Sequence, residues 1–103
     1  MSDAQRQAVR GRKCAVTECF VEHSDPAHLI GRSLLPDVSG DPRAVVPLCR
    51  RHHDEYDGAR TLDLLPHLEP SFRVELAFAV ERVGLIAALE VVTNLRWRPV
   101  MYS

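Results

Sequence analysis

This chain has few cysteines, a single lysine, no long apolar run and almost no net charge, and each shortage excludes something. Three cysteines in 103 residues is an odd number, which argues against the closed disulfide framework of a small secreted protein. In a reducing compartment, cysteines clustered with a histidine point instead to a metal. No stretch approaches the roughly 18 apolar residues of a membrane span. The opening MSDAQRQAVRGRK is polar and holds no hydrophobic signal-peptide region. The expectation is a soluble, cytoplasmic protein with no membrane partner. A net charge of −1 sets up no global field toward nucleic acid. The charge is uneven, however: residues 1–52 hold eight Arg/Lys against six Asp/Glu, and residues 53–103 hold five against eight. A polyanion would therefore meet the N-terminal half. Arginine supplies twelve of the thirteen cations. Its fork suits bidentate phosphate contacts, although arginine-rich codon usage explains the count equally well.

What is present suggests one small α+β domain in three parts: a basic arm over residues 1–13, a core over 14–58 and a helical extension over 59–103. A chain this short buries only about two-thirds of its unfolded surface, so a structural metal would help it fold. Residues 3–10 predict a short helix ended by Gly11, read either as a basic arm or as a frayed terminus. Glu22 to Pro26 reads as a turn and Ala27 to Ile30 as a first short strand. A polar loop follows from Arg32 to Gly40, and Ala44 to Leu48 is the return strand of a hairpin. Cys49 to Asp57 predicts a helix with Gly58 just past its end. Thr61 to Pro66 suggests a short helical turn, and Ser71 is a candidate N-cap for the next helix. That helix carries an apolar stripe of Phe72, Leu76, Val80 and Val83. Gly84 breaks it. Leu85 to Val92 is apolar almost all round, so it predicts a buried segment or a homodimer face. Trp97 precedes a short tail.

Four residues form a C-x4-C…C-x2-H pattern: Cys14, Cys19, Cys49 and His52. Structural Zn2+ takes four soft or borderline ligands in a tetrahedron, and three cysteines with one histidine are a common set. Cys49 and His52 are three apart and share a helical face, while His53 and Asp57, four apart, share another. The spacing thus predicts two metal sites on one helix. His53 remains an alternative to His52 in the zinc set.

The run His28-Leu-Ile…Pro47-Leu48-Cys49-x2-His52-His53, with the cysteine pair before it, resembles the HNH endonuclease family. This is the zinc-knuckle branch of the ββα-metal nucleases, and the match covers residues 14–58. The resemblance implies a zinc-stapled ββα fold with flanking helices. It also implies a metal-dependent endonuclease acting on duplex DNA, with His28 as general base. His53 and Asp57 would hold a catalytic Mg2+ or Mn2+. Arg32, Arg50 and Arg51 are the expected phosphate contacts. Two positions depart from the family: Ala27 stands where a metal ligand usually precedes the base, and Ala44 stands at the central asparagine. Asp25 shares strand parity with Ala27 and is a candidate to fill its place, with Asp41 or Arg43 bracing the loop. Two other readings are a degenerate HNH module that binds DNA or protein without cutting, and a plain zinc-stapled interaction domain.

Overall fold

Val45, Val46 and Leu48 are extended-chain formers, and the Asp41-Pro42 turn ahead of them sends the chain back along the preceding segment. The outcome is an antiparallel hairpin. In the computed structural model, which describes residues 2–31 and 40–94, β1 spans Ser24–His28 and β2 spans Val45–Cys49. Ser24 pairs with Cys49, Ala27 with Val46 and His28 with Val45. Pro26 lies opposite Pro47, which a two-stranded sheet tolerates because each strand needs only one bonded edge. The first strand therefore begins three residues earlier than the sequence suggests, inside the expected turn. Leu29 and Ile30 lie beyond its end, although the Leu29 N–H still donates to the Ala44 carbonyl at 3.1 Å.

The N-terminal segment forms α1, Asp3–Val9, and it is docked rather than frayed. Ser2 and Gln5 close a reciprocal capping box at 3.2 and 3.4 Å. Gln5 is fully buried, and its amide donates to the Asp41 carbonyl at 3.0 Å. The Ser2 hydroxyl reaches the Gly40 carbonyl at 2.8 Å. The helix is thus tied to the loop that leads into β2.

The expected helix after β2 is a composite. α2 covers only Arg50–His53, and Asp54–Gly58 widens into a π turn. Its closing bond runs from the Ala59 N–H to the Asp54 carbonyl at 2.8 Å, so Gly58 lies inside the turn. In this turn Tyr56 faces the core, with its hydroxyl donating to the Leu29 carbonyl at 2.7 Å. A tertiary contact of this kind competes with regular helical winding.

Further on, short 3-10 turns occupy Leu65–His67 and Pro70–Phe72. The first sits a few residues later than expected, and no side chain caps the second. α3, Arg73–Val83, and α4, Leu85–Thr93, are separated by Gly84 at φ 91°, a conformation that glycine adopts without a Cβ penalty. On α3 the most buried residues are Phe78 and Ala79; Val80 and Val83 pack in the cluster with Ala79, while Leu76 packs against the cluster that holds Leu64 and Phe72, so the stripe is wider than predicted. α4 is buried on one side only: Ala88, Val92 and Thr93 face inward, while Leu85 and Ile86 are exposed. The main core joins Leu29, Val46, Leu48, Leu64, Phe72 and Val92 around Cys14 and Cys49. Trp97 and the loop holding Arg32 lie outside the described residues.

Candidate metal centre

The knuckle that carries the first two cysteines is held on both sides. The Ala15 N–H donates to the Pro47 carbonyl of β2 at 2.7 Å, and the Ala15 carbonyl accepts from Glu69 at 2.8 Å. The Thr17 N–H donates to the His67 carbonyl at 2.6 Å. Between Cys14 and Cys19 the chain turns through the Cys19 N–H to Val16 carbonyl bond, at 3.1 Å, with Glu18 at φ 65°. Cys49 ends β2 and is the residue before α2, which places His52 one turn above it.

These supports bring Cys14, Cys19, Cys49 and His52 together, with one ligand atom from each lying within 4.8 Å of all the others. His52 Nδ1 is 3.3 Å from both Cys14 Sγ and Cys49 Sγ. Zn–S bonds of about 2.3 Å and Zn–N bonds of about 2.0 Å give tetrahedral edges of roughly 3.5–3.8 Å. The cluster therefore fits a tetrahedral zinc with little adjustment. Its donor chemistry fits as well. Burial pushes the Cys14 thiol up to about 11, so without a cation this cysteine keeps its proton. For Cys19 burial acts in the same direction but is outweighed by the Val21 N–H, the neighbouring thiols and the Arg51 charge, leaving it below the ordinary thiol value. Burial, followed by the Arg51 charge, holds His52 below the usual imidazole value. A neutral imidazole is the form that binds metal.

The adjacent histidine belongs to a different group, because successive helical residues point about 100° apart. His53 Nδ1 lies 3.6 Å from Asp25 Oδ2 of β1, and its Nε2 lies 3.9 Å from Asp57 Oδ2 in the π turn. Arg50 also reaches Asp25 Oδ2, at 3.4 Å. The strand residue meeting the helix histidine is therefore Asp25. Ala27 is 1% exposed and packs in the core. Of the two histidines, it is His52 that joins the cysteines.

Other expected residues fall as follows. His28 is the half-buried last residue of β1, on the opposite strand parity to Asp25. Arg51 lies on the exposed side of α2, with its Nε 3.4 Å from Glu55. Ala44 is buried and contributes its carbonyl to the Leu29 N–H. Asp41 caps the Arg43 N–H at 2.8 Å and pairs with the same guanidinium at 3.0 Å, so the two brace the entry to β2. Hydrogen bonds from the Arg43 side chain and backbone hold the Asp41 carboxyl below its usual range.

Two residues escaped the sequence reading. Tyr56 ties the π turn to the chain beside His28, and the signal for it was a lone aromatic in an otherwise charged helical segment. Arg10 ends α1 near α2, and nothing in its local sequence sets it apart from the other arginines. No protein-family model, curated protein or solved structure matches the chain.

Proposed function

We propose that the chain is a zinc-stapled ββα nuclease domain of the HNH type that hydrolyses phosphodiester bonds in DNA. In this reading Zn2+ sits among Cys14, Cys19, Cys49 and His52 and staples the hairpin to the knuckle. A catalytic Mg2+ or Mn2+ would be held on the other side of α2 by His53, Asp25 and Asp57. The observation that carries the reading is the contact of His53 with Asp25 and Asp57, one residue away from a ligand of the closed cluster. A hard divalent ion accepts a histidine and carboxylates and completes its shell with water and phosphate oxygens.

Such an ion would polarise the scissile phosphate and stabilise the leaving 3′-oxygen. His28, at the end of β1, would be the general base that takes the proton from the attacking water, a role suited to an imidazole near neutral pH. Being on the opposite strand parity to Asp25, it would have to reach that water around the strand end. Asp25 takes the ligand position that Ala27 leaves empty, and its charge is balanced by Arg50 until an ion arrives. Nicking of supercoiled plasmid by the zinc-loaded protein, dependent on Mg2+ or Mn2+, tests the proposal. His28→Ala should lower the rate at least about a hundredfold, the usual contribution of a general base. Unchanged nicking by that variant removes His28 from the mechanism. A second reading, a module that binds DNA without cutting, draws support from Ala27, which is packed in the core and offers no ligand. Salt-dependent DNA retention with no cleavage under any divalent ion would select it.

A further inference from the structure

The docking of α1 creates a surface that the nuclease reading does not use. Between the end of α1 and the start of α2 lies an open cleft of about 440 Å³, lined by Arg10, Gly11, Glu22, His23, Ser24, Asp25 and Arg50. Its volume falls within the roughly 300–1,000 Å³ usual for ligand sites. Asp25, which contacts His53, forms one wall, so the cleft opens directly beside the proposed catalytic ion. Arg10 is exposed, and among the described residues no ion pair holds its guanidinium. Arg50 also lines the cleft, its side chain 79% exposed and engaged by Asp25 at 3.4 Å. His23 adds a third nitrogen donor, and the Ser24 hydroxyl has no hydrogen-bond partner among the described residues.

We propose that this cleft binds one phosphodiester strand of nucleic acid, next to the bond that the neighbouring site acts on. The placement beside the ion rests on the nuclease reading; the binding itself does not. Two arginines that line one cleft can each clamp a phosphate in the bidentate geometry that arginine favours. Asp25 offsets Arg50 in part through their 3.4 Å contact, and Glu22 is the second carboxylate of the lining. Arg10 is the guanidinium that no ion pair engages among the described residues, so it is the first group that a phosphate would meet. Docking also holds the backbone that carries Arg10. Gln5 and the Ser2 cap hold α1 to the loop before β2, so a phosphate contact at Arg10 costs little ordering entropy.

The test is the salt dependence of DNA binding, followed by fluorescence anisotropy with a labelled oligonucleotide. It uses the full zinc-loaded chain carrying His28→Ala, so that the probe survives. Arg10→Ala and Arg50→Ala should each weaken binding several-fold and lower the slope of log K against log salt by about 0.9. The double variant should lose about twice that. Arg73→Ala, an exposed arginine of α3 outside the cleft, serves as the control for general charge. Both cleft arginines are exposed, and circular dichroism confirms that each variant is folded. The proposal is overturned if Arg10→Ala changes the slope no more than Arg73→Ala, or if the zinc-loaded protein binds no DNA at low salt. It is also overturned if polyglutamate of matched charge competes as well as DNA. Binding that follows the expected pattern without any plasmid nicking retains the cleft and removes the nuclease reading. Nicking with an unchanged Arg10 slope does the reverse.

Discussion

The two sides of α2 carry metal-type residues of opposite character. On one side, Cys14 and Cys49 are buried and four ligand atoms crowd within 4.8 Å. On the other, the side chains of His53, Asp25 and Asp57 are 25%, 39% and 68% exposed, and their contacts stretch to 3.6 and 3.9 Å. The first arrangement has a full ligand set and no room for substrate. The second, if it takes the proposed ion, would leave most of the coordination shell to water. Closed sets of soft ligands stabilise folds, whereas open sets of hard ligands leave positions at which chemistry can occur. A single helical step of about 100° separates the two. The comparison teaches that one helical step is enough to send adjacent identical residues to different neighbours.

The sharpest way to break this contrast is to exchange the two histidines' fates. His52→Ala and Cys49→Ser should each unfold the hairpin unit, because zinc binding in small sites is worth about 10 kcal/mol or more and is itself folding free energy. Exhaustive chelation of the wild type should do the same. By contrast, His53→Ala and Asp25→Ala should keep one zinc per chain and a wild-type melting curve while losing divalent-ion dependence. Elemental analysis and thermal melts decide the matter; a folded His52→Ala that lacks only activity would show that the roles are reversed.

A smaller effect is expected where the two sides are mechanically joined. Tyr56→Phe removes the donor to the Leu29 carbonyl and leaves that buried acceptor unpaired, at a cost of about 1–3 kcal/mol. Urea unfolding of the zinc-bound protein measures it. A loss of that size with unchanged zinc content places the bond between the sites rather than within either, and no loss would mean that water replaces the hydroxyl.

The smallest effect lies outside both sites. Asp41 has its carboxyl held below 3.8, chiefly by Arg43. A depressed folded value stabilises the charged form, so this contribution is complete above the unfolded value and fades as pH falls below 3.8. The pair is largely solvent-facing, so Asp41→Asn should cost under about 1 kcal/mol at neutral pH. The difference from wild type should vanish in acid. A difference that persists in acid would assign the effect to the lost Arg43 N–H cap instead.

The cysteine–histidine cluster was legible because its ligands come as two local pairs. Cys49 and His52 share a face by helical geometry alone, and a knuckle spacing brings Cys14 to Cys19. Gly84 was legible as a break for the same local reason. The register of β1 was less so: the Glu22–Pro26 stretch has turn composition, yet pairing with β2 drew Ser24, Asp25 and Pro26 into the strand. That shift brings Asp25 within reach of His53; its strand parity with Ala27 marked it as a candidate, but no local pattern announces the register that places it there. The π turn depends on Tyr56 meeting Leu29, 27 positions away, and the docking of α1 depends on Gln5 meeting Asp41, 36 positions away. Local preference weighs neither. α4 buries Ala88 and Val92 but leaves Leu85 and Ile86 exposed, because apolar composition cannot say which face finds a neighbour within the chain.

Leu29 is tied from both directions, its N–H to the Ala44 carbonyl and its carbonyl to the Tyr56 hydroxyl. The residue after His28 is therefore a joint between the return strand and the helix, and it cannot loosen toward one without straining the other. Such a joint should merge the hairpin end and the π turn into one unit of local opening. Its amide should then exchange with solvent only when that whole unit opens, at the slow rate of the core and not at the rate of a strand end.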